Sequence, residues 1–275
     1  MEVPRIPHRH GQPKLYMPVV PLIELDAANE QFPDLPGLPC HVEDWDDYII
    51  AADTDAEART REGFDVLCSI LSPRALSTWC EQHQVDNDTS ARLQYTVANA
   101  NRWEGPGSIA DLANAWSLQV LVDSAAALHN LDHGILDGSG NRLAGDLFGR
   151  MLGVGGGNGM LILYADGSHI TPGLDLSMAI TVDVGGRVGL RSRYAVTVVT
   201  LFCQAAWLMP TYSSWIRTDA AGQSEMFVWA VGPTGVQGLP ADRAQQLAES
   251  AWVDPAAAPT ITYRNTAGVG DTTVP

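Results

Sequence analysis

An α+β fold is what the sequence predicts: a helix-rich N-terminal half with one long central helix, a strand-rich C-terminal half, and an extended proline-rich N-terminal arm. Three observations carry that reading. Eight prolines fall within residues 1–39. An apolar stripe at helical spacing runs from Ile109 to Ile135. Beyond Gly153, short apolar runs are punctuated by glycine turns. Helical and strand patterns are segregated rather than alternating, which argues against a doubly wound parallel sheet. No internal repeat is present.

In the arm, Pro4, Pro7, Pro13, Pro18, Pro21, Pro33, Pro36 and Pro39 each fix φ and remove a backbone donor, so a helix or central strand is not expected there. The apolar patch from Leu15 to Ile23 is expected to be buried against protein, on its own chain or a neighbouring copy. Thr54-Asp55-Ala56-Glu57 has capping-box spacing, with hydroxyl and carboxylate satisfying orphan amides. It predicts a helix to about Leu71, with Phe64, Leu67 and Leu71 on one face and Pro73 ending it. A second short helix is expected over 74–83.

Ser108 follows Gly105-Pro106-Gly107 and offers the start of the long helix. Ile109, Leu112, Trp116, Val120, Leu128, Leu131 and Ile135 form its stripe. Gly134 and Asp137-Gly138-Ser139-Gly140 are expected to close it. Met160–Ala165 with Asp166-Gly167 reads as a hairpin arm, and 179–190 around Gly185-Gly186 as a second hairpin. Tyr194–Phe202 fits a strand or a helix equally. Met226–Val231 reads as a strand, and Pro240 begins a helix over 241–252. The resulting organisation is an arm over 1–39, a single α+β domain over 40–252, and a loose tail over 253–275.

The 275 residues are 45% hydrophobic, enough for a sizeable core and too much for a disordered chain. The net charge is −16, and residues 1–137 hold 22 acidic but only 8 basic side chains. Lys14 is the only lysine. No run is apolar and long enough to span a bilayer; Tyr194–Met209 is interrupted by Thr197, Thr200 and Gln204. Without a secretory signal pattern, an intracellular or cytoplasmic location, or a virion, is expected. Cys40, Cys68, Cys80 and Cys203 are sparse and irregular, as reduced buried thiols are.

His129 and His133 stand at i and i+4, a spacing that puts two imidazoles on one helix face for a shared metal. Asn130 replaces the glutamate that a zinc-hydrolase helix carries after its first histidine. Cys80 and His83, with Cys68 upstream, have zinc-like spacing but supply three ligands where a structural site takes four. Gly153–Gly159 is glycine-rich but lacks the lysine of a phosphate-binding loop. No nucleophile elbow is present. Accordingly no catalytic, cofactor-binding or metal-ligating residue is assigned, and no cofactor is expected.

The expected function is a self-assembling structural protein of the viral coat type, contacting copies of itself through its arm. The alternatives are a metal-dependent enzyme using His129 and His133, or a small-molecule or protein-binding module. The long helix with Asp137-Gly138-Ser139-Gly140 resembles the spine-helix segment of tailed-phage capsid proteins. Neither membrane nor nucleic acid is an expected partner, because affinity for nucleic acid is built on basic clusters that neutralise phosphates. A patch could be assembled in three dimensions from Arg187, Arg191 and Arg193 with Arg217, but four arginines would supply only a weak, salt-dependent interaction. Fluorescence anisotropy with labelled oligonucleotides at ~150 mM salt is expected to show no binding; micromolar binding that disappears in R191A/R193A would contradict this.

Overall fold

The structure is a computed structural model that describes residues 11–35, 37–129, 132–165, 174–182, 188–190, 192–207, 209–218, 223–251 and 261–268. It is an α+β protein, helix-rich in the N-terminal half and strand-rich in the C-terminal half. The chain divides into two compact units, residues 2–117 and 118–275.

The first unit is built on a three-stranded sheet in the order β1-β2-β3. β1 (Lys14–Val19) pairs in parallel with β2 (Asp65–Ile70), and β2 pairs antiparallel with β3 (Asn101–Arg102). The β1 strand lies inside the proline-rich stretch. Pro18 is tolerated because β1 is an edge strand. The Asp65 amide donates to the Pro13 carbonyl and that of Leu71 to Val19. Odd-numbered residues therefore face β2, and Pro18 turns its missing donor to the open edge.

Helix α1 (Leu25–Gln31) corrects the expectation that the stretch holds no helix. It occupies the proline-free interval between Pro21 and Pro33, since proline breaks a helix only where it stands. The patch from Leu15 to Ile23 packs on its own unit, with Val19 and Val20 fully buried among Leu25, Phe32, Trp45 and Ile49.

Helix α2 (Trp45–Arg61) runs straight through Thr54, whose hydroxyl donates to the Ile50 carbonyl instead of capping a helix. It ends where Gly63 adopts φ +96° and the amides of Gly63 and Phe64 turn back to Thr60 and Arg59, a glycine C-cap. The helix expected to reach Leu71 is thus replaced by β2, which buries Val66, Cys68 and Ile70. Pro73 begins rather than ends a helix. It is the first residue of α3 (Pro73–His83), and the Ser72 hydroxyl accepts the Ala75 amide at 3.0 Å. Next come α4 (Thr89–Ala98) and the start of α5 (Ser108–His129). Asp53 of α2 fixes that start, accepting from the Trp103 indole and the Gly107 amide, each at 2.8 Å.

In the second unit, α5 ends at His129 and a new helix, α6 (His133–Gly153), begins with Asp132 as its N-cap. Asp137-Gly138-Ser139-Gly140 lies within α6, where it was expected to be a closing turn. The rest is a seven-stranded sheet in the order β10-β8-β7-β4-β5-β6, with β9 also on β8. Its strands are β4 (Gly157–Ala165), β5 (Leu174–Val182), β6 (Val188–Leu190), β7 (Thr211–Thr218), β8 (Ser224–Gly232), β9 (Gly235–Gly238) and β10 (Ile261–Arg264). The pairings β4–β5 and β5–β6 are antiparallel as the hairpin reading expects; their turns lie outside the described residues. Tyr194–Phe202 is helical, part of α7 (Arg193–Ala205), started by Ser192 accepting the Ala195 amide. Helix α8 is Ala241–Ala251. The stretch expected as a loose tail supplies β10 and the buried Thr266, whose hydroxyl accepts from the Leu239 amide at 2.7 Å and donates to the Val228 carbonyl at 2.6 Å.

Helix α6 buries Leu136, Gly140, Leu143, Ala144, Leu147 and Met151, one face at helical spacing. Gly140 is required by contact with α7: a Cβ there would lie 2.5 Å from Gln204 Cγ and 2.9 Å from the Thr200 carbonyl. Gly145 and Gly149 meet nothing within 4 Å. The three glycines should respond to alanine with opposite signs. Gly145→Ala and Gly149→Ala should each stabilise by roughly 0.5–1 kcal/mol through helix propensity. Gly140→Ala should destabilise by about 1–3 kcal/mol through overpacking. Urea unfolding of the three variants checks this, and a stabilised Gly140→Ala would refute the α6–α7 packing.

Candidate binding groove along β1

The groove in the first unit arises from how β1 leaves the sheet. Beyond Val19 the backbone has no ladder to satisfy it, and α2 takes over. The Trp45 indole donates to the Val20 carbonyl at 3.0 Å, and the Val20 amide donates to the Tyr48 hydroxyl at 3.2 Å. Burial pushes the Tyr48 hydroxyl above its ordinary pKa, although the Val20 amide acts in the other direction. These two bonds fix α2 beside the open edge of β1.

Between them is a cleft of about 390 Å³. Leu15, Tyr16, Met17 and Pro18 line it from β1, and Tyr48 and Ala52 from α2. Leu35 and Phe64 add apolar surface. The β1 lining is half-buried, and Leu15 and Met17, which line the cleft, also pack against the core of the unit. Asp55 and Arg59 stand at the rim, paired at 3.2 Å and both about half exposed. The chemistry is that of an apolar, aromatic recognition surface with a charged edge.

The residues singled out in the sequence lie elsewhere. His129 closes α5 and His133 opens α6, so they do not share one helix and the i, i+4 argument for a common metal fails. The intervening residues 130–131 lie outside the described residues. His133 Nδ1 lies 3.8 Å from an Asp123 carboxylate oxygen. Cys68 is buried in β2, and burial, reinforced by Asp53, pushes its thiol up to about 12. Cys80 is buried on α3, while His83 stacks on Trp79 at 4.1 Å with Nδ1 2.8 Å from the Trp79 carbonyl. Among the described residues no three His, Cys, Asp or Glu side chains are grouped to hold a metal. No helix among them is long and apolar enough to cross a membrane.

The glycine-rich segment is the turn from α6 into β4. Gly155, Gly156 and Gly157 all take positive φ, and a Cβ on Gly156 would lie 2.5 Å from the Val182 carbonyl. Arg217 closes the turn, donating to the carbonyls of Val154 at 3.1 Å and Gly156 at 3.0 Å. The same guanidinium donates to Glu225 at 2.9 Å and lies over the Trp215 and Phe227 rings. Arg264 donates to the other Glu225 oxygen at 2.8 Å. Hydrogen bonds from Arg264 and Arg217 hold the Glu225 carboxyl below the usual carboxylate range. Arg217 thus has a structural task in the sheet. Arg187 and Arg191 lie outside the described residues.

Sequence reasoning marked the apolar patch of β1 but missed Tyr48, Ala52 and Phe64. They reach the cleft only through the pairing of β1 with a strand about 50 residues later. Compared with known protein families, curated proteins and solved structures, the chain matches none.

Proposed function

We propose that this chain is a self-assembling structural subunit of the coat type, and that the groove along β1 is where it engages another protein surface. The observation that carries the reading is the half-buried strand Leu15–Pro18, which lines an open apolar cleft at a sheet edge. Such edges are ready templates for a second chain. Exposed Ile50 on α2 and Leu93 on α4 add apolar surface to the same unit. The acidic balance of the chain suits a shell that must not grip nucleic acid.

The patch over 15–23 serves its own core, so deleting residues 1–24 would remove β1 and unfold the unit. The likeness to a capsid spine helix loses its footing, because Asp137–Gly140 sits inside α6. The metal-enzyme alternative has lost its shared helix. What supports assembly now is the groove.

Native mass decides the proposal. Light scattering over a concentration series should give particles many times the 29.5 kDa of the chain. A monomer at all concentrations would overturn it.

A further inference from the structure

Resting on the self-assembly reading, we propose that the groove along β1 receives residues 4–9 of a second copy, Pro4-Arg5-Ile6-Pro7-His8-Arg9, laid beside the strand as a polyproline-II segment. The sequence has the Pro-x-x-Pro spacing that fits aromatic-lined grooves, where the preset φ of proline lowers the entropy lost on binding. Tyr16, Tyr48 and Phe64 provide the aromatic surfaces, each partly exposed. Length agrees as well: six residues of polyproline II span roughly 19 Å, against roughly 20 Å for the six residues of β1. Tyr16 points its amide and carbonyl away from β2 toward this edge, given the ladder register.

Charge complements shape. Residues 11–117 hold 18 acidic and 6 basic side chains, whereas residues 4–10 hold Arg5, Arg9, His8 and His10 and no acid. Asp55 stands at the groove rim with its carboxylate half exposed and paired with Arg59, so an incoming arginine would share that carboxylate with Arg59. Such rim charges contribute mainly to encounter and register.

Docking on the same copy is disfavoured by the chain itself. To reach its own groove, residues 4–9 must double back just before Lys14. Gly11 has φ +103° and can open a tight turn over residues 10–13. Pro13 cannot donate the hydrogen bond that would close such a turn. A segment from a neighbour meets no such constraint, and joins one copy to the next.

Full-length protein carrying Cys40→Ser, Ile6→Cys and Ala52→Cys tests this. Cys40 is exposed and is removed; the other native thiols are buried. Oxidation of the assembled protein should give a ladder of disulfide-linked chains on a non-reducing gel, and either single new cysteine should give little. A disulfide formed within one chain overturns the proposal. So does the absence of a disulfide in protein that light scattering shows to be assembled, an outcome that leaves self-assembly standing. A chain that is monomeric without any substitution overturns both. Independently, Pro4→Ala/Pro7→Ala should raise the concentration for half-assembly at least about tenfold; unchanged assembly contradicts the proposal.

Discussion

The two hydrogen bonds that hold Val20, from its amide to Tyr48 and from Trp45 to its carbonyl, set the geometry on which the first unit depends. Residues 13–21, with prolines at 13, 18 and 21, do not satisfy their own backbone by forming a helix. Here their groups are satisfied from outside, by β2 along one edge and by α2 at the exit of the strand. Buried backbone groups left unpaired cost about 1–3 kcal/mol each, so Tyr48 and Trp45 bind α2 to the strand strongly. The consequence is a cleft: α2 is fixed beside β1, but the outer edge of the strand between them stays open.

The second unit is organised around polar and steric constraints of another kind. Arg217 joins the α6–β4 turn, the aromatic row Trp215, Phe227 and Trp229, and Glu225, while Arg264 ties β10 to the same carboxylate. Because the Glu225 carboxyl is held below its usual range, its contribution is present at neutral pH and is lost as pH falls through that depressed value. Gly140 lets α6 and α7 approach, and Gly238 does the same beside Thr266, where a Cβ would lie 1.9 Å from the Thr266 carbonyl. Gly140 reads as a turn glycine in the sequence because a contact made across many residues leaves no local mark.

Legibility in the sequence followed the range of the forces involved. The class, the start of α5, the short helix α3 and the strand β8 were readable because local periodicity and caps specify them. The β2 strand was read as helix because Phe64, Leu67 and Leu71 happen to match helical spacing, while the glycine stop at Gly63 and the parallel pairing with β1 decided otherwise. The break between α5 and α6 was hidden by an apolar stripe that continues across it to Leu131 and Ile135. Tyr48 and Ala52 looked like ordinary helix positions, since nothing nearby in sequence reveals that a proline-rich strand lies beside them.

The central claim is that the open edge of β1 is closed by another copy. Hydrogen exchange over residues 14–20 reads that edge directly, because the Lys14 and Tyr16 amides point away from β2. These amides should exchange at least about tenfold more slowly in assembled protein than in the same protein dissociated by dilution. Equal rates in the two states, with protection appearing elsewhere, would contradict the account.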